Sequence, residues 1–290
     1  MAHEPAADAA AERALTAVPD LDDPRTSDAL RPGDVDEWGR SERVCDRFHR
    51  AFDPLYRRWF RAEWEGLEHV PRTGGALLVA NHAGAVPADG PVIMHGIQQE
   101  VGRPVYVLAD YTFWAMPFAG TMFSRMGGVA AHPSNAHRLL SEEGHLALAY
   151  PEGTKGTGKL VGERYRLRRF GRGGFVETAM RAGVPVVPIA VVGSEEAMPI
   201  IYKNNALARA LGVPYVPLTA NMLLFGPAGV LLFFPAKFRL RVLEPVTFDV
   251  PPAQERYSSS LVMDEAEKIR DRIQAALVDL LESRRSVWFG

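Results

Sequence analysis

A histidine and an aspartate follow a short apolar run, residues 76–80, in the first third of the chain. Asn81 and His82 come directly after this strand-like run, and Asp89 lies seven residues beyond His82. An imidazole is suited to removing a proton near neutral pH, and a carboxylate on its other nitrogen fixes the tautomer and stabilises the imidazolium. The spacing permits this contact where the intervening chain turns once or twice. His82 and Asp89 are therefore the candidate catalytic pair, although an isolated pair of this kind is more often structural.

A second polar segment, residues 151–156, follows another apolar run, residues 146–150. It supplies an acid, flexible backbone and a cation at a strand end, which suits the binding of a polar head group or an anion. The arginine-rich run from Arg164 to Arg172 is either a solvated face or a contact for phosphates of coenzyme A or lipid head groups. Because both polar segments follow strands, we expect them to form one site. The predicted substrate-binding residues are Asn81, Glu152, Gly153, Thr154, Lys155 and Arg172.

Composition and motifs disfavour several classes of function. The chain has 290 residues and a formal net charge of -2, so it has no overall positive field to attract nucleic acid. Residues 153–159 match the first part of a phosphate-binding P-loop, but Leu160 stands where a magnesium-binding Ser or Thr is required. The histidines lack metal-site spacing, and there is no Gly-x-Ser-x-Gly segment. Cys45 is the only cysteine, which excludes an internal disulfide. We therefore predict no metal and no bound cofactor.

Strands and helices alternate over most of the chain. Apolar runs at 76–80, 105–109, 146–150 and 185–192 are typical of buried strands and are separated by helical stretches. This alternation predicts an α/β fold with a mostly parallel central sheet flanked by helices. We expect a single domain over residues 67–290.

Glycine and apolar spacing place two of the helices. One is expected to open at Gly173 and Gly174 and to stop at Gly183, before the next strand. Another follows three serines at residues 258–260 and should dock on the domain by one apolar side. That side consists of Val262, Ile269, Ile273, Leu277 and Leu280.

Two segments precede the domain. Residues 1–36 are rich in Ala, Asp, Glu and Pro without an apolar period, which predicts a disordered tail. In residues 37–66 apolar side chains recur three or four apart between arginines, the pattern of an amphipathic helix, with a break expected near Pro54. This helix either packs on the core with a solvated basic face or lies on anionic lipid. The start of the sequence shows no secretion signal, so we expect the cytosol or the cytosolic face of a membrane.

Two further runs, residues 111–126 and 213–235, are unusually apolar. The second is long enough to span a bilayer, but its prolines and glycines argue against a transmembrane helix. Each run is interpreted as ordinary core, as a wall for an acyl chain, or as a patch that dips into a membrane.

The polar segments resemble the signature blocks of the lysophospholipid and glycerolipid acyltransferases, typified by bacterial 1-acylglycerol-3-phosphate acyltransferases. Residues 81–89 are similar to the His-and-Asp motif of that family, residues 150–155 to its Phe-Pro-Glu-Gly-Thr-Arg block, and residues 184–190 to its Val-Pro-Ile-x-Pro-Val block. The resemblance covers roughly residues 65–245. It implies an acyl thioester donor, either acyl-CoA or acyl carrier protein, a hydroxyl acceptor on a glycerolipid, and no metal.

Two departures from the family pattern bear on the substrate. More residues separate His82 from Asp89 than the family usually has, so the loop between them must be wider. The family's second block carries an Arg that grips the acceptor phosphate, whereas residues 127–133 lack it. With residues 170–175 and 192–196, the chain resembles the branch that includes diacylglycerol and other neutral-lipid acyltransferases.

The resemblance also implies roles for the site residues. His82, oriented by the aspartate, would take the proton from a lipid hydroxyl as it attacks the thioester carbonyl. Glu152 and Thr154 would position the acceptor, Lys155 would offset negative charge, and backbone amides near Gly153 would stabilise the oxyanion. Long-chain substrates would reach the site from a membrane surface. Two alternatives use the same residues: a thioesterase, in which water attacks, or a lipid-binding membrane scaffold without turnover.

Overall fold

The computed structural model describes residues 33–111, 114, 119–211, 215–254 and 256–290. Most of the predicted tail lies outside these residues, as does part of the apolar run at 111–126, so both predictions stay open there. At the end of the predicted tail, Val35 forms a β-bridge with Ser41. Asp36 accepts a hydrogen bond of 2.6 Å from the hydroxyl of Tyr106. The fold therefore includes at least these two residues.

Nine strands are found among the described residues, and the four that were predicted from apolar runs lie side by side in the middle of the main sheet. The strands are β1 (Glu63–Glu65), β2 (Ala76–Ala80), β3 (Val105–Ala109), β4 (Gly128–Ala130), β5 (Leu146–Ala149), β6 (Val186–Val192), β7 (Ile200–Lys203), β8 (Pro217–Thr219) and β9 (Arg239–Val242). Seven of them form one sheet in the order β1-β9-β6-β2-β5-β3-β4, in which β6, β2, β5 and β3 are the four predicted strands. Neighbours in this sheet are parallel except β6 and β9, which are antiparallel. The predicted α/β class with a mostly parallel sheet is confirmed.

Helices cover both faces of the sheet. They are α1 (Glu42–Pro54), α2 (Asp89–Glu100), α3 (Ala119–Arg125), α4 (Pro133–His137), α5 (Thr154–Thr157), α6 (Gly174–Ala182), α7 (Ser194–Ala197), α8 (Asn205–Leu211), α9 (Ala220–Phe225) and α10 (Ser259–Glu282). Along β2, Leu78 packs in one core with Ile93 of α2, while Leu77 packs in the other with Ile273 of α10. This alternation follows from the two-residue period of a strand and leaves β2 buried on both sides.

The two helices placed by glycine and apolar spacing are observed. Helix α6 begins at Gly174 and ends at Ala182, where Gly183 adopts a left-handed φ of 65°. Helix α10 buries its predicted apolar side, consisting of Val262, Ile269, Ile273, Leu277 and Leu280.

Helix α1 continues past its proline. The chain goes on from Pro54 as a turn of π-helix, Leu55–Trp59, before β1 begins. A proline lacks the N–H that would close a regular turn, and a widened turn is one way to accommodate it. The break expected near Pro54 is therefore a change of helix type. Phe52 and Phe60 pack against the core, and Cys45 is buried on the same helix.

An extension between β6 and β9 carries most of the second apolar run. Strands β7 and β8 pair antiparallel as a separate sheet, followed by α9 and a 3-10 turn, Gly226–Leu231. Leu223, Leu224 and Leu231 are exposed, which corrects the interpretation of this run as ordinary core. In the part of the chain that the structure describes, no helix combines the length and apolarity needed to cross a membrane.

Candidate active site

Asn81 fixes the point at which the chain leaves the sheet. Its amide nitrogen donates to the carbonyl of Val191 at 2.9 Å, and its oxygen accepts from the N–H of Val191 at 2.8 Å. The side chain is buried, with both functional groups committed to β6. Asn81 thus sets the start of the next loop, and its predicted substrate contact stays a prediction.

His82 and Asp89 meet at the carboxyl end of β2. His82 Nδ1 lies 3.1 Å from each carboxylate oxygen of Asp89. Asp89 is the first residue of α2 and is fully buried, while 16% of the His82 side chain is exposed. Its carboxylate also accepts from the N–H of Ala83 at 2.9 Å and of Gly90 at 2.7 Å. A carboxylate held in this way keeps the proton on Nδ1, so Nε2 is left with its lone pair.

The wide loop between His82 and Asp89 is fixed by the extension that follows β6. Ser194 Oγ donates to the carbonyl of Ala83 at 2.8 Å, and the N–H of Ala85 donates to the carbonyl of Met198 at 3.4 Å. Gly84 adopts a φ of 88°, and a Cβ there would lie 3.0 Å from the carbonyl oxygen of Ser194. The extra loop residues therefore form a tight turn that brings the pair together.

Tyr150 packs directly on the candidate base. Its ring stacks on the imidazole of His82 with a centroid distance of 3.9 Å and an interplanar angle of 18°. Its hydroxyl is buried near the Asp89 carboxylate and forms no hydrogen bond of regular geometry with the described residues. Burial and the neighbouring Asp89 carboxylate raise the pKa of the Tyr150 hydroxyl well above its usual range. Sequence patterns gave this residue no role beyond the start of a signature block.

Glu152 joins the two predicted polar segments. One carboxylate oxygen accepts from the backbone N–H of His82 at 3.3 Å, and the other from the backbone N–H of Arg168 at 2.7 Å. The side chain is buried, and the ammonium group of Lys159 lies 3.5 Å away. Through these contacts Glu152 links the two loops. Its predicted contact with an acceptor stays a prediction.

The rest of the second segment faces solvent beside His82. Gly153, Thr154 and Lys155 are exposed at the start of α5. The N–H of Gly153 donates to the carbonyl of Tyr150 at 2.9 Å, so this amide is already engaged. A Cβ at Gly156 would lie only 2.7 Å from the carbonyl oxygen of His82, so this position requires glycine for the loops to touch.

A buried charge cluster lies behind Glu152. Lys159 pairs with Glu195 at 3.0 Å, and Arg284 pairs with Glu196 at 2.9 Å. The backbone N–H of Tyr165 donates to Glu195 at 3.0 Å. Burial raises the pKa of the Glu195 carboxyl above its usual range. Sequence analysis missed this cluster because its members are far apart in the chain and acquire their pairing only in the fold.

The arginine-rich run lies beside the second loop without converging on His82. Arg168 pairs through its guanidinium with Glu163, while its backbone binds Glu152. Arg172 is exposed in the turn before α6. The predicted substrate role of Arg172 stays a prediction.

A second histidine pair lies between α1 and α2. His49 Nδ1 is 3.0 Å from His95 Nδ1, and His95 Nε2 is 3.2 Å from a carboxylate oxygen of Asp53. Burial, with a smaller contribution from His95, lowers the pKa of His49 to about 4. Burial also lowers the pKa of His95. Within the described ranges, no group of three or more His, Cys, Asp or Glu side chains is arranged to hold a metal ion.

The fold and the buried His-Asp pair define an α/β protein whose site lies at the carboxyl ends of parallel strands. Residues 61–192, which include both polar loops, match the family model named Acyltransferase. An uncharacterized protein of Mycobacterium leprae is 39% identical over 259 residues, which cover 88% of this chain and 70% of that protein. The chain therefore belongs to the acyltransferase family, and the predicted family is confirmed.

Other similarities are more distant or cover less of the relative. An uncharacterized protein of Mycobacterium tuberculosis is 39% identical over 81% of this chain, which spans 66% of that protein's length. The protein of Gallus gallus named DGAT1/2-independent enzyme synthesizing storage lipids is 26% identical over 79% of this chain and 67% of its own length. The crystal structure of the 1-acyl-sn-glycerophosphate (LPA) acyltransferase PlsC from Thermotoga maritima matches with a TM-score of 0.52 and 18% identity. This match covers 84% of this chain and 81% of that one. At this identity it supports the fold alone.

Proposed function

We propose that this chain transfers a fatty acyl group from an acyl thioester to a hydroxyl of a glycerolipid, with His82 as general base. The observation that carries the proposal is the contact of His82 Nδ1 with both oxygens of the buried Asp89 carboxylate, at 3.1 Å. This contact orients Nε2 as the proton acceptor. Membership of the acyltransferase family supports acyl transfer as the reaction class.

The reaction follows from this arrangement. His82 Nε2 removes the proton of the acceptor hydroxyl as its oxygen attacks the thioester carbonyl carbon. The tetrahedral intermediate then collapses, the carbon-sulfur bond breaks, and the thiolate takes the proton from the imidazolium. Asp89 stabilises that imidazolium between the two proton transfers. Coenzyme A or the carrier-protein thiol leaves, and the acyl ester is the product.

Substrate binding is assigned to the exposed start of α5. Thr154 contacts the acceptor, and Lys155 offsets negative charge on a substrate, with Arg172 at the edge of the site. Backbone amides of this loop stabilise the oxyanion. The engaged amide of Gly153 restricts that role to its neighbours. The donor is acyl-CoA or acyl carrier protein as co-substrate, and the proposal requires no metal or other cofactor.

The proposed acceptor is a neutral glycerolipid, reached from the cytoplasmic face of a membrane. Residues 127–133 lack an arginine that would hold an acceptor phosphate. A relative from Gallus gallus bears the name of an enzyme synthesizing storage lipids, which supports the same choice. The exposed leucines between β6 and β9 support a peripheral position on the membrane surface.

The test is a thiol-release assay with one acyl-CoA and four acceptors: diacylglycerol, monoacylglycerol, lysophosphatidate and a lysophospholipid. We expect acceptor-dependent release of coenzyme A together with the acylated lipid, and loss of both in His82→Ala. Release without any acceptor would identify a thioesterase. Lipid binding without release under any condition would contradict the proposal and indicate a scaffold.

A further inference from the structure

Five large apolar side chains lie together on the surface between β6 and β9. They are Leu223, Leu224, Phe225, Leu231 and Leu232, here called the apolar tip. Leu231 exposes 77% of its surface and Leu224 69%, far more than a packed core permits. Side chains of this size are seldom exposed together unless they contact a partner or a membrane.

Polar contacts on its inner side connect the apolar tip to the rest of the extension. Asn221 donates from its side-chain nitrogen to the carbonyls of Leu232 at 2.6 Å and Ala197 at 3.1 Å. Thr219 caps α9 by accepting from the N–H of Met222 at 3.2 Å. A Cβ at Gly229 would lie 2.2 Å from the carbonyl oxygen of Asn221, so the turn packs tightly on the helix. The backbone is thus satisfied inward while the leucines point outward.

Tryptophans border the apolar tip. Trp59 is exposed and donates from its indole nitrogen to the carbonyl of Phe233 at 3.0 Å. Trp288 is also exposed, and its ring centroid lies 6.4 Å from that of Phe234. Phe289, next to Trp288, is 81% exposed. Tryptophans around an apolar surface are typical of the interface between a bilayer and water.

The charges of this segment favour an anionic bilayer over a second copy of the chain. Residues 197–243 contain no Asp or Glu but five basic residues: Lys203, Arg209, Lys237, Arg239 and Arg241. Lys237, Arg239 and Arg241 pair with carboxylates outside this segment. Arg209 is exposed on α8. Exposed Arg58 stands beside Trp59. A segment without carboxylates offers the basic side chains of a second copy no partner, whereas anionic head groups attract such side chains.

A short stretch connects the apolar tip to the candidate active site. The carbonyl of Ala197 accepts from the N–H of Phe234 at 2.9 Å, at the base of the tip. The next residue, Met198, accepts at its carbonyl from the N–H of Ala85, in the loop that follows His82. The tip and the loop of the base are therefore anchored to adjacent residues of one segment.

We propose that the apolar tip, bordered by Trp59 and Trp288, inserts into an anionic bilayer leaflet and sets the His82 site beside its lipid acceptor. The position of the His82 site beside its acceptor rests on the proposed function, since it takes the acceptor to be a membrane lipid. Insertion of the apolar tip depends on the surface alone. Leucine side chains enter the acyl region, tryptophans lie at the head groups, and arginines meet lipid phosphates.

The test is co-sedimentation with vesicles of phosphatidylcholine alone or with phosphatidylglycerol added. We expect the parent to bind the anionic vesicles more tightly, and Leu224→Glu combined with Leu231→Glu to weaken binding at least about tenfold, because two charges enter the apolar region. Val278→Glu is the matched control, because Val278 is 43% exposed on α10, and it should bind as the parent does. His82→Ala should also bind as the parent does, which separates docking from turnover.

Three results would overturn the proposal. One is undiminished vesicle binding by the double variant while its circular dichroism and thermal midpoint match the parent. Another is an equal loss of binding in Val278→Glu. A third is a dimeric parent and a monomeric double variant by light scattering, which would assign the surface to a second copy. Should vesicle binding behave as expected while no acyl transfer is detected, the proposed function would fail and the docking surface would stand.

Discussion

His82 has different surroundings on its two nitrogens, and this asymmetry supports its proposed role as a general base. Nδ1 faces a carboxylate that the N–H groups of Ala83 and Gly90 hold in place, whereas Nε2 is the nitrogen proposed to meet the substrate. The sequence was sufficient to select this pair from residue types and strand-end position. It could not show that Glu152, seventy positions later, accepts the backbone N–H of His82, because that contact exists only once two strands pair.

Replacement of the base should remove turnover and preserve the fold. We expect His82→Ala to lower the rate of coenzyme A release by roughly 10²-fold to 10⁴-fold, the contribution of a positioned general base. Asp89→Asn should lower it as well, since an amide does not stabilise the imidazolium in the same way. The thermal midpoint of His82→Ala should match that of the parent. Parent-like turnover by His82→Ala would refute the mechanism.

The stacked ring of Tyr150 should matter more than its hydroxyl. Tyr150→Phe keeps the ring and removes a buried hydroxyl that forms no hydrogen bond of regular geometry with the described residues, so we expect nearly unchanged turnover. Tyr150→Leu removes the ring that faces the imidazolium, an interaction worth about 0.5–2 kcal/mol, and should lower kcat roughly twofold to thirtyfold. Measuring kcat and KM for both variants separates the contribution of the ring from that of the hydroxyl. A larger loss in the Phe variant than in the Leu variant would show that the hydroxyl acts.

At the scale of the elements, the longer apolar strands could be predicted from the sequence, whereas the contacts between the two candidate active-site loops could not. Apolar runs were enough to predict β2, β3, β5 and β6, since each buries at least three successive residues. The strands β1, β4 and β9 were not predicted, because they are short and none of them has more than two buried residues in succession. Their positions depend on pairing with longer strands. The contacts between the two loops could not be predicted either, because they depend on how closely the two backbones approach each other.

A methyl group between the two loops should separate them. Gly156→Ala would place a Cβ 2.7 Å from the carbonyl oxygen of His82 and 2.9 Å from Cβ of Glu152, so one loop must move. We expect a loss of activity of at least about tenfold together with a lower unfolding free energy, by about 1–3 kcal/mol. Gly162→Ala is the matched control, since a Cβ there meets no atom within 4 Å. Equal effects of both substitutions on activity and chemical denaturation would contradict this account.

The histidine pair between α1 and α2 should make the fold sensitive to acid. The folded-state pKa of His49 is about 4 against an ordinary value of 6.5, so the unfolded chain binds more protons in this range. The unfolding free energy should therefore be highest above about pH 6.5 and decline as the pH falls toward 4. Urea denaturation at pH 7 and pH 5 should show a smaller decline in His49→Gln than in the parent. The exposed His132→Gln should decline as the parent does, and an unchanged slope in His49→Gln would refute the assignment.

At the scale of the whole molecule, the candidate active site lies at the main sheet and the exposed apolar side chains lie on the extension between β6 and β9. The fold class was predictable because hydrophobic periodicity reports burial. The exposed leucines of the extension were not, because an apolar run of this length looks the same in a core and on a membrane-binding surface. Only packing on Asn221 and Gly229 shows which side chains face outward.

The composition of residues 127–133 bears on the choice of acceptor. Without an arginine in residues 127–133, a phosphomonoester forfeits a charge-assisted hydrogen bond of about 1.5–3 kcal/mol. We expect diacylglycerol to be used at least as well as lysophosphatidate, by kcat/KM with one acyl-CoA. A preference above about tenfold for lysophosphatidate, equivalent to roughly 1.4 kcal/mol, would contradict this expectation. Loss of that preference in Arg172→Ala would then identify the replacement contact.

The burial of Cys45 makes the molecule suited to optical labelling. Burial raises the pKa of this single thiol, so little reactive thiolate is present at neutral pH. A cysteine added at the surface should therefore react with a maleimide dye much faster than Cys45. Leu231→Cys labelled with an environment-sensitive dye should shift its emission to the blue when anionic vesicles are added, whereas Val278→Cys should not. The parent chain should therefore take up little dye, and the emission of the labelled variant would report contact with a lipid surface as it occurs.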